Sequence, residues 1–495
     1  MKKLTSPLKK TLLLIGLSIS CLTTINFAHA NDAVSSLPDL GSTAGNVLPP
    51  HVANKVGAAF VRQARSRAKF VNDPLLLNYL NKLGNKLVKV AVPGTEFENQ
   101  KFEFHLIEDK NTNAFAVPGG QIFVHTGLVI DTKNEAELAG ILAHEIAHIT
   151  ENHGARGIEN SKYDSAITLA SILLAAASGN SEAAQAAIAL SQGGLIQKRL
   201  NFSRSFEREA DNIAIITMNK AGYDPLALAG FLRTIDRKQN FVGITPPAFL
   251  LTHPLTDERI VETESRAKAY PAHKQPPENA LAFNDFKATI LAKHHADPKK
   301  LASFYRLNRG AFQNSSDHFK YGLALTKLNQ FDQAEKQLGQ ALQASPNNLN
   351  YLVARSELDI AKKNHSAAIQ RFEEIKQNRP KDYDEIKLYH AYTLITAKTN
   401  ELAIPILKNA IKRSPKDPDA QILLARAYGE LGLLYDSYKA RATYHYLLGN
   451  YGFAIKQLDN AAPLAPNDFE KKNLRTIKAQ YINEKVQTEK ALKKL

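Results

Sequence analysis

From about Asp317 onward the chain returns to one small-and-apolar set at intervals of 34 or 35 residues. Gly322, Ala334, Leu338, Ala341 and Pro346 are followed by Ser356, Ala368, Phe372, Ile375 and Pro380, then by Ala391, Ala403, Leu407, Ala410 and Pro415. A later set with the same internal spacing is Ala442, Ala454, Leu458, Ala461 and Pro466. Small residues let two antiparallel helices approach closely, the larger apolar residue fills the adjoining layer, and Pro ends the second helix. Four such sets exclude a single compact core and require a solenoid of helical hairpins, in which each unit buries its apolar face against its neighbours. Between Pro418 and Ser437 an additional helix is expected to interrupt the period, giving four to five units and a charged terminal helix from Phe469.

The first thirty residues carry a different signal. Lys2, Lys3, Lys9 and Lys10 precede an apolar run over 11–20 that is too short to span a bilayer, and Ala28-His29-Ala30 offers a small-x-small cleavage site. Residues 1–30 therefore read as a cleaved secretory signal, with a retained anchor as the alternative, and the mature chain is expected in a bacterial periplasm. A lipoprotein reading through Cys21 is weaker, because Leu17 stands four residues before it instead of three and Ile19 is large. Removal takes four of the 63 Lys+Arg and no acid, so the formal charge of +15 becomes +11. It also takes the single cysteine, which leaves His and carboxylates to hold any metal. The positive charge suits anionic membrane surfaces and protein partners. Nucleic acid is not an expected partner, since the repeats mix basic with acidic residues and show no aromatic-interleaved basic patch.

Between these ends, apolar residues at three- and four-residue spacing predict helix from Pro49 to about Leu87. Alternation over Phe102–Ile107 predicts a half-buried strand, and the segments 114–118 and 121–125, around Gly119-Gly120, predict two more. Pro118 places its segment at an edge or strand end. Helices are expected over Glu135–Ile149 and from Phe206 to about Ala221, with Gly222 just past the end. His144-Glu145-Ile146-Ala147-His148 lies on the first of them. Residues four apart share a helix face, so both imidazoles can reach one metal while Glu145 holds and deprotonates a metal-bound water. Leu138, Ile141 and Leu142 make the rest of this helix apolar, and buried His and Glu would be costly unless a metal satisfied them.

A third ligand is required. The pattern with a Gly three and a His six residues after the second His fails, because those positions hold Glu151 and Gly154; His153 is one place short and is expected to cap the helix or face solvent. On the second helix Glu207 and Asp211 are four apart, so Glu207 can ligate while Asp211 accepts a hydrogen bond from the outer nitrogen of a ligating His. Glu209 is the alternative ligand, otherwise a solvated charge among Arg204 and Arg208.

The His-Glu-x-x-His helix, the Glu207-x-x-Ala210-Asp211 helix, the segment Asn113-Ala-Phe-Ala-Val-Pro and the later Thr252-His-Pro-Leu-Thr-Asp-Glu-Arg-Ile resemble the M48 family of zinc metalloproteases. The repeat spacing is similar to that of tetratricopeptide repeats, and the whole resemblance covers about residues 40 to 466. It implies a mainly α chain: a gluzincin-like α+β metalloprotease domain with a small sheet over 31–275, a helical connector over 276–315 and an all-α tetratricopeptide-repeat solenoid with a terminal helix over 316–495. It implies one Zn2+ per chain on His144, His148 and Glu207, with Glu145 as general base and Asp211 supporting the site. His253 would be a fourth ligand in a latent state, or else a loop His without a metal bond. Asn113, Ala114, Phe115 and Ala116 would receive an extended substrate by strand addition, and Asn113 would also polarise the scissile carbonyl. Arg259 would pair with a nearby acid, without a catalytic role. The Ala-rich stretch over 165–190 would be a lid with Gly193-Gly194 as hinge, or a membrane-contacting hairpin. The implied function is a periplasmic zinc endopeptidase that degrades misassembled outer-membrane proteins and assists their assembly through its repeats. Unfolded or misassembled outer-membrane proteins and the outer-membrane beta-barrel assembly machinery are the expected partners, with possible peripheral membrane contact. The alternative is a chaperone or assembly scaffold with a latent protease site.

Overall fold

Two proline-started helices open the structure, α1 (Pro50–Arg67) and α2 (Pro74–Ala91), each with its Pro where an unpaired N–H would otherwise stand. This is a computed structural model, and it describes residues 49–159, 193–239, 249–274 and 276–493. The expected signal at 1–30 and the expected lid at 165–190 lie outside the described residues. The predicted helical stretch is broken by a short strand, β1 (Phe70–Val71), because Asp73-Pro74 restarts the helix. Asp73 caps α2, accepting from the backbone N–H of Leu75 (3.1 Å) and Leu76 (3.2 Å).

Strands β2 (Glu103–Ile107), β3 (Ala114–Val117) and β4 (Gln121–His125) complete a four-stranded sheet in the order β1-β2-β4-β3. β2 and β4 are parallel, Glu103 opposite Gln121 and Ile107 opposite His125, whereas β3 runs antiparallel to β4 with Ala114 opposite Val124. β3 is thus an edge strand, and Pro118 follows its last residue. Gly119 and Gly120 make the β3–β4 turn at φ of 85° and 76°, where a Cβ would also meet backbone oxygens of Ala53 and Lys101. β2 is not half-buried as its alternation suggested. It lies inside the sheet, and its polar His105 is covered because Nε2 pairs with Gln121 Oε1 at 2.7 Å.

The sheet leads through α3 (Thr126–Asp131) into α4 (Glu135–Thr150), whose N-cap Asn134 accepts from the Glu137 N–H. Every residue of α4 except His148 is buried. Leu138, Ile141, Leu142 and Ile146 join Leu80, Leu106, Ile122, Ile215 and Phe231 in one core, so α4 is held from all sides by sheet and helices. α5 (His153–Glu159), α6 (Gly193–Lys220), α7 (Leu226–Gln239), the single turn α8 (Phe249–Thr252) and α9 (Asp257–Ala267) surround it. α6 begins thirteen residues before the expected Phe206 and includes Gly193-Gly194 in its first turn, so among the described residues that pair is helical.

α10 (Pro277–Ile290) and α11 (Pro298–Leu307) connect to the repeats. Phe283, Phe286 and Ile290 belong to the protease core, while Ala288 and Ala292 belong to the first repeat core, which makes the connector a wedge between the two. The repeats are α12 (Ser315–Lys327) with α13 (Phe331–Ala344), α14 (Leu349–Ala361) with α15 (His365–Asn378), α16 (Pro380–Thr396) with α17 (Asn400–Arg413), and α18 (Pro418–Glu430) with α19 (Leu434–Leu447). α20 (Tyr451–Ala461) and the terminal α21 (Asp468–Lys493) follow.

The additional helix expected between Pro418 and Ser437 is α18, and it shifts the later set by half a unit, with Ala442 on α19 and Ala454, Leu458 and Ala461 on α20. The hairpin turns place Asn329, Lys363, Lys398 and Gly432 in left-handed conformation at 34- or 35-residue steps, but the next, at Gly449, comes after 17, so α19 pairs with α18 on one side and with α20 on the other. The small pair between α18 and α19 is Ala425 and Ser437, and Ser437 Oγ donates to the Ala425 carbonyl at 2.7 Å. Arg441 and Tyr444 of α19 stand where the earlier hairpins carry a larger apolar residue and a small one. The solenoid folds back on α1 and α2: Tyr389 Oη donates to Asp73 Oδ1 at 2.5 Å, Lys82 pairs with Glu385 at 2.7 Å, and Arg62 Nε donates to Tyr451 Oη at 3.0 Å.

Candidate metal centre

α4 and α6 cross so that three of the expected ligands meet at the face of α4 nearest α6. His144 Nε2 is 3.0 Å from His148 Nε2 and 3.3 Å from Glu207 Oε2, and His148 Nε2 is 3.4 Å from Glu207 Oε1. His253, just past α8, joins them: its Nδ1 lies 3.3 Å from His144 Nε2 and 3.0 Å from Glu207 Oε1. Its position is set by the Phe249 N–H donating to the Thr112 carbonyl at 3.0 Å, beside the start of β3, and by stacking of its ring on Phe249. One donor atom from each of His144, His148, Glu207 and His253 lies within 4.8 Å of the others.

The set fits a cation. Zn–N and Zn–O bonds of about 2.0–2.1 Å in a tetrahedron put ligand atoms about 3.4 Å apart; the contacts His144–His148, His144–Glu207, His148–Glu207, His144–His253 and Glu207–His253 are 3.0–3.4 Å, and all four donors lie within 4.8 Å of one another. Without a cation, pairs of imidazole nitrogens would face each other in a buried space. In the metal-free chain, burial disfavours a charged His144, yet Glu207 and Asp211 outweigh it and raise the imidazole to about 10. Burial instead pushes His148 down to about 3. Burial also opposes ionisation of Glu207, but His253, Arg259 and His144 hold its carboxyl well below the usual range.

Asp211 lies behind His144, its Oδ1 2.9 Å from Nδ1 though off the ideal N–H direction. Arg259 forks onto Asp211 (Nε to Oδ2 2.7 Å, Nη2 to Oδ1 2.9 Å) and reaches Glu207 Oε2 at 2.7 Å and the Pro254 carbonyl at 3.2 Å. One guanidinium therefore ties the two carboxylates of α6 to the His253 segment. Glu145 is fully buried, 3.3 Å from His253 Nε2, and neither oxygen makes a well-formed hydrogen bond among the described residues. Burial raises its pKa, moderated by His253, His144 and the Ala116 backbone. Asn113 is also fully buried, with no partner for its side-chain amide among the described residues; its backbone carbonyl accepts from the His125 N–H at 2.9 Å. Ala114, Phe115 and Ala116 are in edge strand β3, whose Ala116 adjoins Glu145.

Two sequence expectations fail here. His153 neither caps α4 nor faces solvent: Asn152 takes a left-handed turn (φ 54°), and the buried imidazole comes back to touch His148, its Nδ1 2.8 Å from that ring's Nδ1. Glu209 is not among the four donors, nor is it a free surface charge, since it pairs with His153 Nε2 and Arg156 at 3.0 Å each. Asn152 was the legible signal, because Asn is among the few residues that readily reverse a chain in this way.

Residues 78–267 match peptidase family M48, and residues 320–383 match a tetratricopeptide repeat family. Over 436 residues the chain is 33% identical to the beta-barrel assembly-enhancing protease of Yersinia pestis, covering 86% of this chain and 87% of that protein. It is 34% identical over 463 residues to the putative beta-barrel assembly-enhancing protease of Vibrio cholerae, covering 92% and 93%. It is also 34% identical over 180 residues to the mitochondrial metalloendopeptidase OMA1 of Schizosaccharomyces pombe, covering 36% and 51%.

Proposed function

Because the chain belongs to the beta-barrel assembly-enhancing proteases, metalloproteases with an M48 peptidase domain and tetratricopeptide repeats, we propose that it is a periplasmic zinc endopeptidase that degrades misassembled outer-membrane proteins and assists the assembly of others through its repeats. The observation that carries this reading is the convergence of donors from α4, α6 and the His253 segment, within 4.8 Å of one another and beside an edge strand. The protease domain would extend to 275 and the repeats begin at 316, with the outer-membrane beta-barrel assembly machinery as their partner and an anionic membrane surface within reach of the positive chain.

His144, His148 and Glu207 would hold the ion, which when bound supplies Lewis acidity and a more acidic water. Glu145 would be placed to take a proton from the attacking water and return it to the leaving amine; its raised pKa brings the carboxyl nearer neutral pH, where a base that must also act as an acid works best. Asp211 fixes the ring of His144, and Arg259 keeps Asp211 and Glu207 ionised and in place. The outer edge of β3 receives an extended peptide through main-chain hydrogen bonds, which need no particular side chains. The buried, unpartnered amide of Asn113 beside this edge is suited to polarise the scissile carbonyl.

The place of His253 in the donor set favours a second reading, a scaffold whose protease is latent until that side chain leaves. Cleavage of an unfolded polypeptide by the full-length chain tests both. Glu145→Gln should lower cleavage about 10²–10⁴-fold while zinc is retained, and His253→Ala should raise it. Absence of cleavage by both the parent and His253→Ala would defeat the protease reading, and cells in which Glu145→Gln fully restores outer-membrane assembly would favour the scaffold.

A further inference from the structure

Behind His148 stands a chain of polar groups that the ligand set does not use. His148 turns Nε2 toward the donors, 3.0 Å from His144 and 3.4 Å from Glu207, so Nδ1 is the nitrogen facing away. That Nδ1 is 2.8 Å from His153 Nδ1, and His153 Nε2 is 3.0 Å from Glu209 Oε2. Arg156 Nη1 donates to the same oxygen at 3.0 Å. The His153 ring is buried and stacked on Phe206, with centroids 4.2 Å apart and planes 17° apart. Phe206, Glu207 and Glu209 thus supply from one stretch of α6 the wall, a ligand and the far end of the chain.

One arrangement of hydrogens satisfies every member. A cation at His148 Nε2 takes that lone pair, so the ring hydrogen sits on Nδ1. It is donated to a bare His153 Nδ1, whose own hydrogen must then sit on Nε2 and point to Glu209. Both imidazoles of α4 are in this way backed by a carboxylate, His144 directly by Asp211 and His148 through His153. We propose that His153 and Glu209 form a positioning relay that orients His148 and strengthens it as a metal ligand. This rests on the reading of His148 as a ligand given above.

Zinc dissociation constants of the full-length protein, measured by competition with a chromophoric chelator, test the relay together with the visible spectrum of the Co2+-substituted protein. His153→Phe keeps the stack on Phe206 and deletes the hydrogen bonds. His153→Gln can still accept from His148 and donate to Glu209. The phenylalanine variant should bind zinc about 10- to 100-fold more weakly and shift the Co2+ bands, and the glutamine variant should restore most of both. Glu209→Gln, at a half-exposed position where folding is not at risk, should fall between. Equal weakening of His153→Phe and His153→Gln would reduce His153 to a structural role and overturn the relay. So would parent-like affinity and spectrum in both His153→Phe and Glu209→Gln. A parent that binds no zinc overturns the metal reading itself, which separates that failure from failure of the relay alone.

Discussion

In the hairpin α12–α13 the buried set includes Gly322, Leu325, Ala334, Leu338 and Ala341; in α4 it includes His144 and Glu145 beside Leu142 and Ile146. The hairpin closes on itself. A Cβ at Gly322 would lie 2.7 Å from Leu338 Cδ2, so the missing side chain is the notch that Leu338 fills, and the pair sits sixteen residues apart in one unit. α4 closes on partners that are far away in sequence, with Glu207, Asp211, His253 and Arg259 arriving 59 to 115 residues later than His148 or His144. Apolar burial needs only volume nearby, and a repeat supplies it locally. Polar burial needs a matched donor or charge for each group, which the rest of the domain must bring.

That contrast can be broken experimentally, most strongly at the guanidinium. Arg259→Ala leaves Glu207 and Asp211 buried without their shared cation and should lower the unfolding free energy of the metal-free protein by about 3–5 kcal/mol in chemical denaturation. Arg259→Lys should recover part of it, since an ammonium cannot reproduce the fork. A loss no larger than that of a surface ion pair would show that the centre is not held by charge matching. In the solenoid, Leu338→Ala should cost about 2–5 kcal/mol through the cavity it leaves and leave zinc affinity unchanged. A weakened zinc affinity would mean that the two regions are not independent.

The smallest effect concerns protons. His144, raised to about 10 when metal-free, stabilises the apo fold fully below its unfolded value near 6.5, and this contribution fades as pH climbs from there to about 10. His148, held near 3, is already neutral at pH 7.5. Zinc binding at that pH should therefore release about one proton from the two ligand imidazoles, read by calorimetric titration in buffers of different ionisation enthalpy. Leu338→Ala should leave that count as it is, and binding without proton release would contradict the assigned charge of His144.

The same contrast explains what could be read in advance. The hairpins are legible wherever Gly or Ala and a larger apolar residue keep their spacing, and the extra helix α18 is legible because the set resumes at Ala442, 51 residues after Ala391, instead of 34 or 35. In the protease domain, four-residue spacing on a helix was enough to propose Glu207 with Asp211. His253 came from family resemblance, because nothing in a loop segment announces which cavity it enters. His153 and Glu209 were misjudged because their environment depends on the reversal at Asn152 and on the crossing of α5 with α6, neither of which is a periodic feature.

The zinc ion proposed above is held by α4 and α6 together. Elemental analysis of the purified full-length protein measures it directly, in the parent and in Glu145→Gln and Glu207→Gln. One zinc per chain is expected in the parent and in Glu145→Gln, and its loss in Glu207→Gln. Zinc-free parent protein, or full zinc content after the change at Glu207, would contradict this assignment.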